Sequence, residues 1–207
     1  MDPEKIQSAL AVITAENDPT VKSLQLASLC TTVWLERGVQ LVVVVGSAIE
    51  ILTEGVYTSG DLDLCPLTSS SLRLRDRQEL MGSLSGKGGP RSWQIAGMFV
   101  DLLEPVESFA RTPFRQIEAP YGTVMIMKPE DLLVERVLVS FYPGPNEEAR
   151  NCARALATGA LNGSMSMDWK EVLRVASLPE YRNLDECKSM VIELANDLKI
   201  QNPFDTA

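Results

Sequence analysis

The fold is decided by residues 45–64, VGSAIEILTEGVYTSGDLDL, and by the aliphatic run that leads into them. Residues 39–45 are apolar except for Gln40 and rich in valine, which predicts a central strand covered on both faces. Gly46 and Ser47 end that run, and the apolar pattern after them predicts a short helix over residues 48–55. Glycine allows a close backbone approach, serine offers a hydroxyl and a helix N-cap, and the free N–H groups of a helix start favour phosphate.

The second half of the stretch carries two carboxylates. Asp61 and Asp63 occupy alternate positions of a predicted strand over residues 61–65, so we expect both carboxylates on the same face. Leu62 and Leu64 then point into the core. Two neighbouring carboxylates repel each other unless a cation neutralises them, and oxygen ligands of this kind suit Mg²⁺ or Mn²⁺. A phosphate cradle beside such an acidic pair suits chemistry on a magnesium triphosphate.

This arrangement resembles the nucleotidyltransferase superfamily related to DNA polymerase beta. The superfamily motif is an apolar residue, Gly and then Gly or Ser, followed after a spacer by a strand with two alternating acidic residues; here thirteen residues separate Ser47 from Asp61. The resemblance implies that a nucleoside monophosphate moves from a nucleoside triphosphate to a hydroxyl acceptor. It also implies that Asp61 and Asp63 hold the metal ion and that Gly46 and Ser47 hold the β- and γ-phosphates.

The resemblance further implies a third carboxylate on a later strand. Asp101, within FVDLL at residues 99–103, is the candidate. It would complete a second metal position and help to deprotonate the acceptor hydroxyl. The three predicted catalytic and metal-binding residues are therefore Asp61, Asp63 and Asp101.

Within the superfamily, the sequence is most similar to the abortive-infection toxin nucleotidyltransferases. In that branch a helix of the form Pro-Glu-Asp-Leu-Leu, with a later lysine, follows the sheet; residues 129–133 read PEDLL, and Arg136 stands where the lysine is expected. The branch implies a toxin–antitoxin setting. The missing lysine and the acidic surface keep a second hypothesis open, a catalytically inactive protein of the same fold that binds a nucleotide or a partner protein. A third hypothesis is a structural module in which the acidic pair is incidental.

The rest of the chain predicts the domain organisation. Alternating patterns predict hairpins over residues 93–103 and 114–127, whereas helical periodicity begins at Pro129. We therefore predict an α+β protein with a nucleotidyltransferase-like mixed sheet flanked by helices. Residues 1–127 would form the core with its N-terminal helices, and residues 128–207 a helical C-terminal subdomain.

Composition excludes several classes of function. The chain has 207 residues and no histidine, which excludes histidine-dependent triads and histidine-ligated zinc sites. Its formal net charge of −9 argues against a broadly basic nucleic-acid platform. None of the four cysteines forms a CxxC pair, which argues against a zinc knuckle or a thioredoxin-like motif. Three of them lie in apolar helical stretches, which predicts small core residues and a reducing compartment. The acidic start and the short aliphatic runs predict a cytoplasmic protein without a signal peptide or membrane span. The nucleotide and the acceptor, whether RNA, protein or small molecule, stay open.

Overall fold

The chain divides into two units. The structure, a computed structural model, describes residues 1–68, 73–112 and 114–205. The first unit comprises residues 1–107 and 114–127, and the second comprises residues 108–113 and 128–207. Among the described residues, no helix is both long enough and apolar enough to cross a membrane.

The first unit contains four helices and seven strands within the described part of the chain. In chain order they are α1 (Pro3–Ala15), α2 (Pro19–Leu35), β1 (Leu41–Val43), α3 (Val45–Leu52), β2 (Asp61–Pro66), α4 (Leu74–Ser83), β3 (Lys87–Gly88), β4 (Ser92–Ile95), β5 (Met98–Leu102), β6 (Phe114–Ala119) and β7 (Gly122–Met127). Helices α1 and α2 each begin with an aspartate N-cap and a proline in the first turn, which supplies an acceptor for a free N–H and a preset φ.

The strands form one mixed sheet in the order β3-β4-β5-β2-β1-β7-β6. Strand β1 pairs antiparallel with β2 and parallel with β7, and β2 pairs parallel with β5. The outer pairs β3–β4, β4–β5 and β6–β7 are antiparallel. This mixed sheet flanked by helices confirms the predicted α+β class.

Burial explains why the central elements form where they do. All three residues of β1 are fully buried, as expected for a short strand of β-branched and aliphatic residues in the middle of a sheet. Helix α2 packs on β1 and β7 and buries Leu26, Leu29 and Trp34 completely. An apolar helix of this kind is stabilised by burial on most of its surface rather than on one stripe.

The second unit consists of helices around α5. Its elements are α5 (Pro129–Phe141), α6 (Glu147–Leu161), α7 (Trp169–Ala176), α8 (Leu184–Leu198) and a short 3₁₀ turn at Pro203–Asp205. Helix α6 ends at Leu161, and Gly163, which has a left-handed φ of 76°, follows its C-terminus.

Two pairs of residues in this unit have capping-box spacing, Asp168 with Glu171 and Asn183 with Glu186, but neither pair forms the box. Asp168 does cap α7 by accepting from the N–H groups of Lys170 and Glu171. The Asp168 N–H, however, donates to Glu130 Oε1 at 2.8 Å instead of to the Glu171 side chain. Asn183 makes no side-chain cap, because its Nδ2 donates to the Val134 carbonyl at 2.8 Å. Tertiary partners therefore replace the local ones at both positions.

Residues 108–112, which connect β5 to β6, belong to the second unit and form a strap across its helices. The Ser108 hydroxyl donates to the buried carboxylate of Asp131. The Arg111 N–H donates to Glu171 Oε1 at 2.9 Å, and the ring of Phe109 meets that of Tyr181 edge-on at 5.6 Å. These contacts fix the strap to α5, α7 and the turn before α8.

Candidate active site

Strands β2 and β5 bring the three predicted carboxylates onto one face of the sheet. The parallel register places Asp63 directly beside Asp101, and Asp61 beside Phe99. The side chains between them, Leu62 on β2 and Val100 on β5, are fully buried on the opposite face. Strand periodicity thus separates an acidic face from an apolar core, as the sequence predicts.

The three carboxylates lie close enough to share a cation. One oxygen from each of Asp61, Asp63 and Asp101 lies within 4.8 Å of the others. Asp63 is nearly buried, with 8% of its surface exposed, whereas Asp61 and Asp101 are half-buried. Three carboxylates at this spacing repel one another, and burial weakens the screening by water. Hard oxygen ligands are those that Mg²⁺ and Mn²⁺ prefer, so the donor set fits a divalent ion.

Helix α3 begins beside this cluster. The Val44 N–H donates to the Asp63 carbonyl at 3.2 Å, which ties the last residue before the helix to β2. The predictions of a strand through Val45 and of a helix from residue 48 are wrong. Strand β1 ends at Val43, Val44 remains extended, and α3 starts at Val45, which has a left-handed φ of 52°. Gly46 and Ser47 therefore lie in the first helical turn, whose N–H groups have no intrahelical acceptor.

The Ser47 side chain has a structural partner on each side. Its hydroxyl donates to the Val44 carbonyl at 3.0 Å and accepts from the Asp63 N–H at 2.9 Å, and the residue is fully buried. The N-cap of α3 is Val44, not Ser47, and no side chain caps this helix. Any phosphate role of Gly46 and Ser47 therefore falls to their backbone N–H groups, and it stays a prediction.

Sequence reasoning missed a polar network behind Asp61. The Ser59 hydroxyl donates to Asp61 Oδ1 at 2.7 Å, and the Ser59 N–H donates to Glu50 Oε2 at 2.8 Å. Glu50 lies on α3 and is 2% exposed. A signal for Glu50 exists, since it is a single carboxylate within the apolar stretch Ala48–Leu52. Ser59 carries no such signal, because it lies in a loop without periodicity.

An exposed aromatic side chain extends the acidic face away from α3. Phe99 is 57% exposed, although it lies within a strand. It sits beside Asp61 on one side and beside Gln94 of β4 on the other, and Gln94 in turn pairs with Lys87 of β3. Directly paired residues project from the same face of a sheet. The carboxylates therefore continue into an exposed row formed by Phe99, Gln94 and Lys87.

Arg136, which stands where the toxin branch has a lysine, lies in the second unit. It belongs to α5, and its Nη2 is 2.7 Å from Glu135 Oε1. Only 13% of the Arg136 side chain is exposed. The adjacent glutamate therefore balances the charge of the arginine locally.

Comparison with solved structures identifies related folds. An antigenic nucleotidyltransferase-like protein from Paracoccidioides brasiliensis aligns with a TM-score of 0.53 at 12% identity, over 87% of this chain and 89% of that chain. The antibiotic-resistance factor ANT(2'')-Ia aligns over 96% of this chain and 95% of that chain, at 11% identity and a TM-score of 0.46. No protein-family model and no curated protein matches the sequence. By the first of these structural alignments, the chain has a nucleotidyltransferase-like fold.

Proposed function

We propose that this protein is a metal-dependent nucleotidyltransferase that moves a nucleoside monophosphate from a nucleoside triphosphate to a hydroxyl acceptor. The observation that carries the proposal is the convergence of Asp61, Asp63 and Asp101 within 4.8 Å on two paired strands, beside the start of α3. An acidic cluster alone is common, but here it combines with this helix start and with the nucleotidyltransferase-like fold.

Each carboxylate has a role in this proposal. Asp61 and Asp63 would hold Mg²⁺ or Mn²⁺ on the triphosphate, and Asp101 would complete a second metal position. When bound, the metal ion neutralises the phosphate oxygens and stabilises the charge that develops on them. Asp101 takes up the proton as the acceptor oxygen bonds to the α-phosphorus. The bond from that phosphorus to the bridging oxygen breaks, and pyrophosphate leaves.

The order of the strands distinguishes two sides of the site. Helix α3 follows β1 on one side of β2, and its first-turn N–H groups suit the β- and γ-phosphates. Strand β5 lies on the other side of β2, with β4 and β3 beyond it. We therefore place the acceptor on the β5 side, where Phe99, two residues before Asp101 on the same strand, and its neighbour Gln94 are exposed.

A second candidate function is nucleotide or partner binding without turnover. This function is favoured because polar groups that catalysis would use already have hydrogen-bond or ion-pair partners within the protein. The Ser47 hydroxyl is enclosed by Val44 and Asp63, and Arg136, which replaces the expected lysine, is paired with Glu135. Release of pyrophosphate distinguishes the two functions, because a binding module would hold the nucleotide and release none.

The similarity to abortive-infection toxin nucleotidyltransferases supports a toxin-like role, with RNA, a protein or a small molecule as acceptor. A partner protein that restrains the activity belongs to the same proposal. A reducing, cytoplasmic setting is supported by the four buried free thiols.

The proposal is tested with Asp63→Asn. We expect the parent protein to melt at a higher temperature with Mg²⁺ and a nucleoside triphosphate than without them, because a ligand that binds only the folded state stabilises it. The variant should lose this shift. Its melting temperature without ligand should equal or slightly exceed that of the parent, because one repelling charge is removed from the cluster.

The control is Asp197→Asn, which removes an exposed carboxylate from α8. It should behave as the parent does, with and without ligand. Pyrophosphate release is then measured with cell extract as the source of acceptor. Absence of a ligand-dependent shift with every common triphosphate would contradict the proposal, and unfolding of unliganded Asp63→Asn would make Asp63 a structural residue.

A further inference from the structure

Ser59 links the metal-binding face to the helix that begins beside it. Its hydroxyl donates to Asp61 Oδ1 at 2.7 Å, while its N–H donates to Glu50 Oε2 at 2.8 Å. One residue therefore contacts a candidate metal ligand through its side chain and α3 through its backbone. Ser59 is half-buried, so water competes only partly for these bonds.

Glu50 is itself held in place from a second direction. Its other carboxylate oxygen, Oε1, accepts from the Thr20 hydroxyl at 3.2 Å. The residue is 2% exposed, and a buried carboxylate without hydrogen-bond donors would be costly. Ser59 and Thr20 supply such donors, and the carboxylate in return fixes the position of the Ser59 backbone against α3.

Gly46 provides the space that the Ser59 hydroxyl occupies. A Cβ atom on residue 46 would lie 2.6 Å from Ser59 Oγ and 3.2 Å from Ser59 Cβ. The φ of Gly46 lies outside the left-handed region, so the backbone conformation itself does not demand glycine. The close approach of the serine does.

We propose that Ser59 is a positioning residue for Asp61, and that residue 46 is glycine because a Cβ there would displace the Ser59 hydroxyl. A donor that holds one carboxylate oxygen fixes the rotamer of the side chain, and such outer partners of metal ligands typically contribute about 10–100-fold to metal affinity. The inference rests on the proposed metal site of Asp61, Asp63 and Asp101, and it assigns Gly46 a role that does not require contact with phosphate.

The first test measures Mn²⁺ binding to the full chain by titration calorimetry and by electron paramagnetic resonance, without any nucleotide. Ser59→Ala should lower Mn²⁺ affinity about tenfold or more, the range expected when an outer partner of a ligand is lost. Ser59→Thr keeps a hydroxyl at the same atom and should restore most of the affinity. Thr58→Ala removes a hydroxyl from the exposed neighbouring residue and should leave affinity unchanged.

The second test is a double-mutant cycle. Gly46→Ala should lower both Mn²⁺ affinity and the melting temperature of the metal-free protein, because the new Cβ meets Ser59 Oγ. In a Ser59→Ala background the same change should cost less, since the oxygen at 2.6 Å is gone and only Ser59 Cβ, at 3.2 Å, remains close. Such coupling is expected for residues in contact and not for distant, independent ones.

The outcomes separate this inference from the proposed function. If the parent protein binds no Mn²⁺, the proposed metal site fails. If the parent binds Mn²⁺ and Ser59→Ala binds it equally well, or if Ser59→Thr does not restore the loss, the positioning role of Ser59 is overturned while the metal site stands. Additive effects of Gly46→Ala and Ser59→Ala would overturn the explanation of Gly46.

Discussion

At the residue scale, the Ser47 side chain holds the start of α3 against β2. Its hydroxyl accepts from the Asp63 N–H at 2.9 Å and donates to the Val44 carbonyl at 3.0 Å, without exposure to solvent. The backbone of a candidate metal ligand is thereby fixed through a neighbouring helix. A serine that the motif associates with phosphate has a structural function in this chain.

We expect Ser47→Ala to destabilise the protein, because it removes the acceptor of a buried N–H. Leaving such a group without a partner costs about 1–3 kcal/mol. The free energy of unfolding from urea denaturation measures the loss. The matched control is Ser8→Ala, which removes an exposed hydroxyl from α1 and should change the free energy of unfolding little. An unchanged stability of Ser47→Ala would show that these hydrogen bonds contribute nothing.

At the element scale, the strap of residues 108–112 depends on a pair of charged residues on α7. Arg174 donates to both carboxylate oxygens of Glu171 at 2.8 Å, and also to the Phe109 carbonyl at 2.7 Å. The hydrogen bonds from Arg174 lower the pKa of Glu171 to about 2, and the hydrogen bond from the Arg111 N–H also lowers it. Because bidentate arginine–carboxylate pairs are geometrically specific, α7 fixes the strap in one position.

This lowered pKa predicts a pH dependence. The ionised form of Glu171 is favoured by folding, so its contribution is complete above the ordinary carboxyl pKa of 4.5 and is lost as pH falls towards about 2. Glu171→Gln should therefore be less stable than the parent at neutral pH, and the difference should shrink steadily below pH 4.5. Urea denaturation across this range measures it. A difference that stays constant with pH would exclude the charge of Glu171 as its cause.

Asp131 should contribute with the opposite sign. Burial raises the pKa of this carboxyl, against the lowering effect of the Ser108 hydroxyl, so the ionised form is disfavoured by folding. Its contribution to stability is therefore complete below the ordinary value of 3.8 and decreases as pH rises above it. The strap is thus held by two carboxylates whose titrations oppose each other in acid.

The elements also show what the sequence could predict. Strand β2 and the hairpin of β6 and β7 lie where period-2 patterns and turn residues place them, and the alternation of Asp61 and Leu62 predicts the acidic face. The start of α3 could not be predicted. Val45 belongs to the aliphatic run by composition, and only its left-handed φ of 52° reveals that the strand has ended.

The rest of the candidate site depends on contacts through space. Asp101 could be proposed only from the resemblance, and the parallel pairing of β2 with β5 accounts for its place beside Asp63. The contacts of Ser59 with Gly46 and Glu50 join residues nine or more positions apart, on a loop and a helix. Periodicity carries no information on such contacts, so this network could not be predicted.

At the scale of the whole molecule, the chain carries a formal net charge of −9. All four of its cysteines are buried. Burial raises the pKa of Cys30 to about 12, and burial together with the nearby Glu186 carboxylate raises that of Cys187 to about 12. Since the thiolate is the reactive form, neither side chain is poised for chemistry at neutral pH. The four cysteines therefore act as small core residues, as predicted for three of them.

We expect the folded protein to resist thiol reagents. With an aromatic disulfide reagent at pH 8, the four buried thiols should react slowly in buffer and all of them quickly in denaturant, because unfolding restores ordinary exposure and pKa. Absorbance of the released thiolate counts the reacting groups. Rapid reaction of one thiol in the folded protein would contradict its burial.

In the proposed function, Asp61, Asp63 and Asp101 hold a divalent ion on a nucleoside triphosphate. The most direct measurement is anomalous diffraction from crystals grown with Mn²⁺ and a non-hydrolysable nucleoside triphosphate. We predict manganese peaks among the oxygens of these three carboxylates, with the terminal phosphates at the first-turn N–H groups of α3. A triphosphate bound elsewhere, or manganese absent from the three carboxylates while nucleotide is present, would show that these residues do not form the metal-binding site of a nucleotidyltransferase.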